Sequence, residues 1–492
     1  MSAPSSRRSG PEAALHSDVL IVGAGSAGSV LTERLSRDVG CRITVVEAGP
    51  APSDPKVSSQ ITDAVRMPIG AASSVVRHYA STLTDQPART GHIMRGAVVG
   101  GSGAVNGGYF CRALPEDFDR WAVAGWSWAD VLPHFLSIEN DLDFVGPLHG
   151  SSGPIIVRRV SEFDGCTRAF VNAAAELGYP WVADLNGVGA GDPLPVGIGA
   201  VPLNINGGIR VGPGGAFLQP ALARPNVTLI ADTRVVRIRF EQQRAVGVEC
   251  TDSDGDKMLS ADRIVLSAGA IGSAQLLMVS GVGPEDALTA AGIPVVSKAP
   301  VGERTSDHPE WVLPVDWTPS HDLPPVEAIL TTPNGLEIRP YTRGFGAMVG
   351  RLGAEDPADR PHIGVALMRP RSRGRLRVVS DDPAVTPVIE HRYDSDPHDV
   401  AMLSAGAELA RELASSSTKV GQAAWSTSQH LCATAPMGPD EDDTAVVDER
   451  CRVRGADRLW VVDGSVLPTV TGRGPHATIV MLGHRAAEFI DA

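Results

Sequence analysis

A chain of 492 residues is long for a single core and has the volume for two connected domains around a large buried ligand. With 43% hydrophobic and 20% charged residues its composition is ordinary for a globular protein, which excludes disorder over most of its length. The 43 Lys and Arg against 57 Asp and Glu give a net charge of −14, which repels phosphate backbones, and no long basic patch offsets it, so no nucleic-acid partner is expected.

In chain order, residues 1–16 predict a disordered tail. Arg7 and Arg8 are not followed by an apolar segment, so no secretory leader is expected. No run approaches 18 consecutive apolar residues, so no transmembrane segment is expected. Cys41, Cys111, Cys166, Cys250, Cys432 and Cys451 have no paired spacing and fit reduced thiols. The expected location is the cytoplasm, with peripheral contact at the inner face of the cell membrane left open.

Residues 18–22 (DVLIV) predict a strand, 26–37 a helix with Val30, Leu31 and Leu35 at helical spacing, and 42–47 (RITVVE) a second strand. That is a β-α-β unit with a right-handed crossover. Residues 96–108 are too rich in glycine for regular structure and predict a loop where backbone approaches something closely. Trp121, Trp126 and Trp128 precede a helix at 130–139 and read as core. From residue 226 come three strand-like pieces, VTLIA, VVRIRF and AVGVEC, then a buried strand at 261–270 and a helix through Met278. Residues 310–418 are rich in Pro and Arg with short alternating runs such as GRLRVV, which predicts an antiparallel second domain capped by a helix at 399–414. Residues 459–490 return to an apolar strand (LWVVD) and a closing helix.

Gly23, Gly25 and Gly28 in GAGSAG lie between the first strand and its helix. The first serves the tight turn, the second a close approach to a pyrophosphate, and the third close helix–strand packing. Ser26 and Ala27 open the helix, whose N-terminal N–H groups and dipole suit an anion. Glu47, followed by Ala48, closes the second strand about 20 residues past the last glycine, where an acid accepts from ribose hydroxyls and disfavours a 2′-phosphate. These residues establish a dinucleotide site and do not choose between FAD and NAD.

The stretch RGAVVGGSGAVNGG at 95–108, followed by DFDRW at 117–121, resembles the first signature of the glucose–methanol–choline (GMC) oxidoreductases. GAIGSAQLLMVSGVG at 269–283 resembles the second, with Ala274 where the family has Pro or Ser. Further similarities are HGSSGP at 149–154, RPNVTL at 224–229, VGERTSDHP at 301–309 and PRSRGRLRV at 370–378, so the resemblance runs from about Asp18 to the C-terminus. It implies FAD in an extended form, with Gly100, Gly101, Gly103 and Asn106 along the flavin, the Val235 backbone at adenine, and Asp463 with Gly464 by the flavin and its phosphates. Some members attach FAD through a His just before the motif Asn. Val105 stands there and has no nucleophile, so non-covalent FAD is expected.

His430 in HLCATAPMG is similar to the family's H-x-x-G-T-x-x-M-G, with Ala433 in place of the glycine, and His476 follows in GPHATIVMLG. The resemblance places both at the flavin N5. An imidazole can take the hydroxyl proton of an alcohol as hydride leaves its carbon, and a second can hold the resulting oxygen. Alone, either histidine reads as a hydrogen-bonded structural or surface residue, and the other eleven, including His149 and His308 in matching motifs, read as structural or are left unassigned. Arg371, Arg373 and Arg375 read as a solvated strand or turn. No metal site is expected.

The implied fold is α/β, a Rossmann-like FAD-binding domain of discontinuous segments (17–145, 205–309 and 425–492) with a mainly antiparallel substrate domain (146–204 and 310–424). The implied reaction is FAD-dependent oxidation of an alcohol to a carbonyl with His430 and His476 as acid/base pair. The segments GGSGAVNGGYFCRALPEDFDRW and DLDFVGPLHG resemble the mycofactocin-associated members, which implies reduced mycofactocin as substrate and the respiratory chain as electron acceptor. A small-alcohol or choline-type oxidase or dehydrogenase stays open, as does a flavin-containing hydroxynitrile lyase. The substrate, the acceptor, the oligomeric state and the identity of the principal base are not readable from the sequence.

Overall fold

A computed structural model describes residues 16–319, 322–349, 359–414 and 418–490. Most of the expected tail, 1–15, lies outside them, and His16 already opens the first strand, His16–Val22. The β-branched runs His16–Val22 and Ile43–Val46 are buried almost throughout, as strands covered on both faces must be. They pair in parallel with each other, and the helix Ser26–Leu35 connects them. The sheet runs Val227–Ile230, Ile43–Val46, His16–Val22, Gly255–Leu266, Arg244–Asp252, Arg234–Glu241. The first four strands are parallel and the last two continue antiparallel. Leu459–Val461 adds in parallel to the far end of Gly255–Leu266, so the chain terminus closes the sheet that its start opened.

The six-stranded sheet is antiparallel throughout, in the order Ala424–Thr427, Pro309–Pro314, His362–Leu367, Leu336–Pro340, Ala328–Thr331, Gly197–Ala200. The helix Pro397–Leu413 covers one face, where Leu403, Ala407 and Ala410 pack with Leu336, Ile338, Ile363 and Val365. The other face carries Glu310, Glu337 and Arg339, all buried, which no packing rule would place there unless they served one another. The GRLRVV run belongs elsewhere. Arg375–Arg377 pairs antiparallel with Val388–Glu390 in a separate four-stranded sheet built on the hairpin Val76–Asp85 and Ala88–Gly96. Its alternation gave a strand but could not name its neighbour.

Trp126 and Trp128 are buried in the main core, and Trp121 packs against it while donating to Thr469 Oγ1 at 3.1 Å. All six cysteines are buried. Among the described residues no helix is long and apolar enough to cross a membrane.

His149 of HGSSGP sits in a buried ion network, 3.2 Å from Asp141 and 2.8 Å from Asp184, with Arg159 bonded to both acids and Arg112 to Glu139. Burial alone would depress its pKa, but hydrogen bonds to Asp141, Asp184 and Glu139 outweigh that and raise it to about 10. The stability this charge contributes is therefore complete below the ordinary histidine range and is lost as pH rises through about 10. His149→Gln should lower the melting temperature clearly at pH 6 and much less at pH 10.5. Equal losses at both pH values in thermal melts would show that the ring packs without its charge.

Candidate active site

The parallel strands end together, and a cavity of about 580 Å³ opens beyond their carboxyl ends. Val22 with Gly23, Val46 with Glu47, Ser267, and Asp463 all reach its wall. Gly23 has φ +100°, a left-handed turn that lets its N–H donate to Val46 O at 2.8 Å. Gly25, Ser26, Ala27 and Ala48 also line the cavity, and Gly28 does not. A Cβ on Gly28 would lie 2.0 Å from Gly23 O, so its part is helix–strand packing. Glu47 lines the wall and accepts from Ala24 N and Gly49 N at 2.9 Å each, which fastens the turn. Burial, only partly offset by these bonds, raises its pKa to about 7.

The second glycine loop abuts the first. Gly100 donates to Ala24 O at 2.8 Å and lies behind the wall, while Gly101, Gly103 and Asn106 line it. A Cβ on Gly101 would sit 2.8 Å from Gly25 Cα, and one on Gly103 would sit 2.5 Å from His476 Cε1 and 2.6 Å from Ser26 Oγ. Val235 and Gly464 also reach the cavity. Asp463 spends its carboxylate on Ser465, Ser273 Oγ (2.6 Å) and Gly269 N (2.9 Å), tying the 269–283 motif to the C-terminal region.

His476 begins the helix His476–Ile490, which lies on Ser26–Leu35 so closely that a Cβ on Gly483 would be 2.9 Å from Ala27 O. That contact brings His476 Nδ1 to 3.5 Å from Ser26 Oγ. Its Nε2 is buried without a partner among the described residues. Burial, then Arg210, holds this imidazole down at about 4. His430 lines the same cavity. Its Nδ1 is 2.9 Å from Nδ1 of His308, whose Nε2 is 2.8 Å from Thr471 O. A carbonyl only accepts, so His308 carries its proton on Nε2, and burial, which holds it at about 4, leaves Nδ1 as an acceptor. His430 must then donate from Nδ1, which leaves the lone pair on Nε2. Burial, then His308 and Arg339, holds His430 well below the usual imidazole range. Asp307 accepts from the His430 N–H at 2.8 Å and from Tyr393 and Thr427.

Several of these residues escaped the sequence reading. Asp307, His308 and Glu310 fall within or beside the SDHP motif, but nothing local marks them. Arg339 and Glu337 were visible only as charges two apart in a short apolar strand, LEIRP, which is buried at every position. On the cavity wall Glu310 is matched by Arg339 at 3.5 Å, Tyr341 OH at 2.8 Å and Ser428 Oγ at 2.8 Å. Behind it Glu337 pairs with Arg339 at 2.7 Å and Arg473 at 3.0 Å and accepts from Tyr109 at 2.9 Å.

Models of the GMC oxidoreductase family match residues 17–310 and 370–483. The chain belongs to the GMC oxidoreductases. It is 37% identical to an uncharacterised GMC-type oxidoreductase of Rhodococcus erythropolis, over 96% of this chain and 98% of that one. It is 32% identical to an oxygen-dependent choline dehydrogenase of Vibrio vulnificus, over 96% and 94%. Pyridoxine 4-oxidase from Mesorbium loti superposes with a TM-score of 0.85 at 27% identity, covering 96% of this chain and 98% of that one. Formate oxidase, at 21% identity and a TM-score of 0.84, shares the fold. The chain is thus an oxidoreductase of an FAD-binding family whose relatives act on CH–OH groups.

The cradle fits such a cofactor: glycine backbone where any side chain would collide, a helix N-terminus facing the cavity, and an orphaned imidazole nitrogen on the ring beside that helix start. Gly103→Ala would force the His476 ring and Ser26 to move. Anaerobic flavin reduction should slow at least about tenfold, with a stability cost of about 1–3 kcal/mol. A normal rate in stopped-flow absorbance would show that the ring has room to spare.

Proposed function

We propose that the chain oxidises an alcohol to a carbonyl with His430 and His476 acting on the substrate oxygen. The observation that carries this is that both rings line one cavity, His430 with Nδ1 engaged by His308 and His476 with an Nε2 that has no partner among the described residues. His430 presents a lone pair on Nε2. On this reading the Ser26 hydroxyl, 3.5 Å from His476 Nδ1, donates to it, and the His476 proton stands on Nε2, which has no partner among the described residues. One ring accepts the hydroxyl proton while the other donates to the oxygen it leaves. FAD, when bound along Gly23 to Ala27 and Gly101 to Asn106, supplies the hydride acceptor. Val105 offers no attachment point, which supports non-covalent binding. Glu47 and Val235 would hold the adenosine end.

His430→Ala and His476→Ala should each slow anaerobic flavin reduction by about 10²-fold or more while FAD stays bound. Both imidazoles are neutral at pH 7, and the neutral form is lost only as pH falls through their lowered pKa values. The reduction rate of the unchanged enzyme should therefore be flat from pH 8 to pH 6 and fall toward pH 4. A titration centred near 6.5 would mean that the base is not a buried imidazole. Substrate-dependent bleaching of the flavin also separates this reading from a hydroxynitrile lyase.

For substrate, the reading is reduced mycofactocin, with electrons passed to the respiratory chain, at the inner face of the membrane. It is supported by the wording of 100–121 and 141–150 and by the character of the cavity beyond the histidines. Met67, Ile69, Pro325, Val326, Phe345 and Val349 make an apolar, ring-compatible wall. Glu310, the carboxylate there, is already matched by Arg339. The likeness to choline dehydrogenase favours a second reading, a choline-type enzyme, but a cation would find no unmatched negative charge. kcat/KM for neutral ring-bearing alcohols should exceed that for choline at least about 100-fold, and the reverse order in steady-state assays would favour the choline reading.

A further inference from the structure

Arg210 is a buried guanidinium with no carboxylate. Its Nη1 donates to Ala104 O at 2.8 Å, and its Nη2 donates to Arg66 O at 2.5 Å and to Asp63 O. The residue is 2% exposed, and among the described residues no acid lies within ion-pair distance. Of the other buried arginines near the cavity, Arg473 and Arg339 pair with Glu337, while Arg343 donates to the carbonyls of Val65 and Leu323. Burying an ion is costly unless it is paired, and carbonyl dipoles alone compensate it only in part. A neutral side chain could not grip three carbonyls, but the grip itself does not require the absence of a counter-ion.

Location gives the charge a use. Ala104 ends the 3₁₀ turn Gly101–Ala104, and Gly103, one residue earlier, touches the His476 ring. Arg66 O and Asp63 O belong to the segment that leads to Met67 and Ile69 on the cavity wall. The depressed pKa of His476, to which Arg210 contributes after burial, agrees with a positive field there. The nearest acid acting on Arg210 is Asp63, whose Oδ1 is turned to the N–H groups of Val65 and Arg66.

We infer that Arg210 is a positioning residue with an electrostatic role: its charge, which makes no ion pair among the described residues, lies behind the second glycine loop and favours negative charge at the His476 end of the cavity. This rests on the reading that the isoalloxazine of FAD lies beside His476. Two-electron reduction leaves negative charge on that ring system, and sulfite, which adds to it as an anion, reports the same field without turnover.

The test is a sulfite titration followed by flavin bleaching, with the midpoint potential measured in parallel, on the FAD-loaded protein and three variants. Arg210→Met should weaken sulfite binding at least tenfold, which corresponds to a potential lower by about 30 mV for a two-electron couple. Arg210→Lys keeps the charge and should stay within about threefold. Asp63→Asn removes the one offsetting carboxylate and should tighten binding. Unchanged sulfite affinity in Arg210→Met, or equal weakening by Met and Lys, overturns the inference, because only the carbonyl grip would then matter. Should Arg210→Met fail to retain FAD, Asp63→Asn decides: no tightening overturns it. An unchanged protein that holds FAD but forms no sulfite adduct also overturns the inference, whereas the reading of alcohol oxidation stands or falls separately on anaerobic flavin reduction by substrate.

Discussion

Two glycine loops far apart in the chain approach until Gly101 stands where any side chain would strike Gly25, and the rest of the site follows from that contact. The first loop is pinned by Glu47 and the second by the Gly100–Ala24 hydrogen bond. With the loops in register, Gly103 makes room for the His476 ring, and Gly483 lets the helix behind that ring settle onto Ser26–Leu35. The anion-binding helix and the helix that presents the catalytic candidate are therefore packed directly against each other. A small displacement of either would be felt by both the cofactor cradle and the chemistry, since packed backbone has no slack to absorb it.

Electrostatics divides the cavity into regions of different character. On the substrate side the buried charges cancel in a chain that runs from Glu310 through Arg339 and Glu337 to Arg473. The imidazoles between that chain and the glycine loops are kept neutral by burial. The tautomers of His308 and His430 are set by a partner that can only accept, the carbonyl of Thr471. Arg210 departs from that pattern of matched charge, as does Arg343, which is buried and donates to Val65 O and Leu323 O. Such departures are expected where function, and not stability, governs the choice of residue.

Much of this was legible in the residues. The β-α-β unit, the glycine turn and Glu47 obey local rules of period, turn geometry and spacing, and each of them reaches the cavity except Gly28, whose packing duty was also foreseen. The family resemblance added Gly101, Gly103, Asn106, His430 and His476. It was less informative in detail. Gly100 sits behind the wall, the GRLRVV strand joined a different sheet, and His308, read as structural, proved to be the partner that orients His430.

By itself the sequence marked the opening β-α-β unit and the strands after residue 226, because period and glycine placement act within a dozen residues, but it left the hairpin Val76–Asp85 and Ala88–Gly96 and the helix Gly165–Glu176 unmarked. It also determined that a dinucleotide could bind, because the turn, the helix start and the acid are close along the chain. Only the tertiary structure decided which nitrogen of His430 is available, that His476 Nε2 has no partner among the described residues, that Glu310 is already matched, and that Arg210 is not. Those properties belong to pairs such as His308 with His430, 122 positions apart, or Ser26 with His476, 450 apart. Hydrogen bonds and burial between such distant residues leave no period and no spacing for a sequence to display.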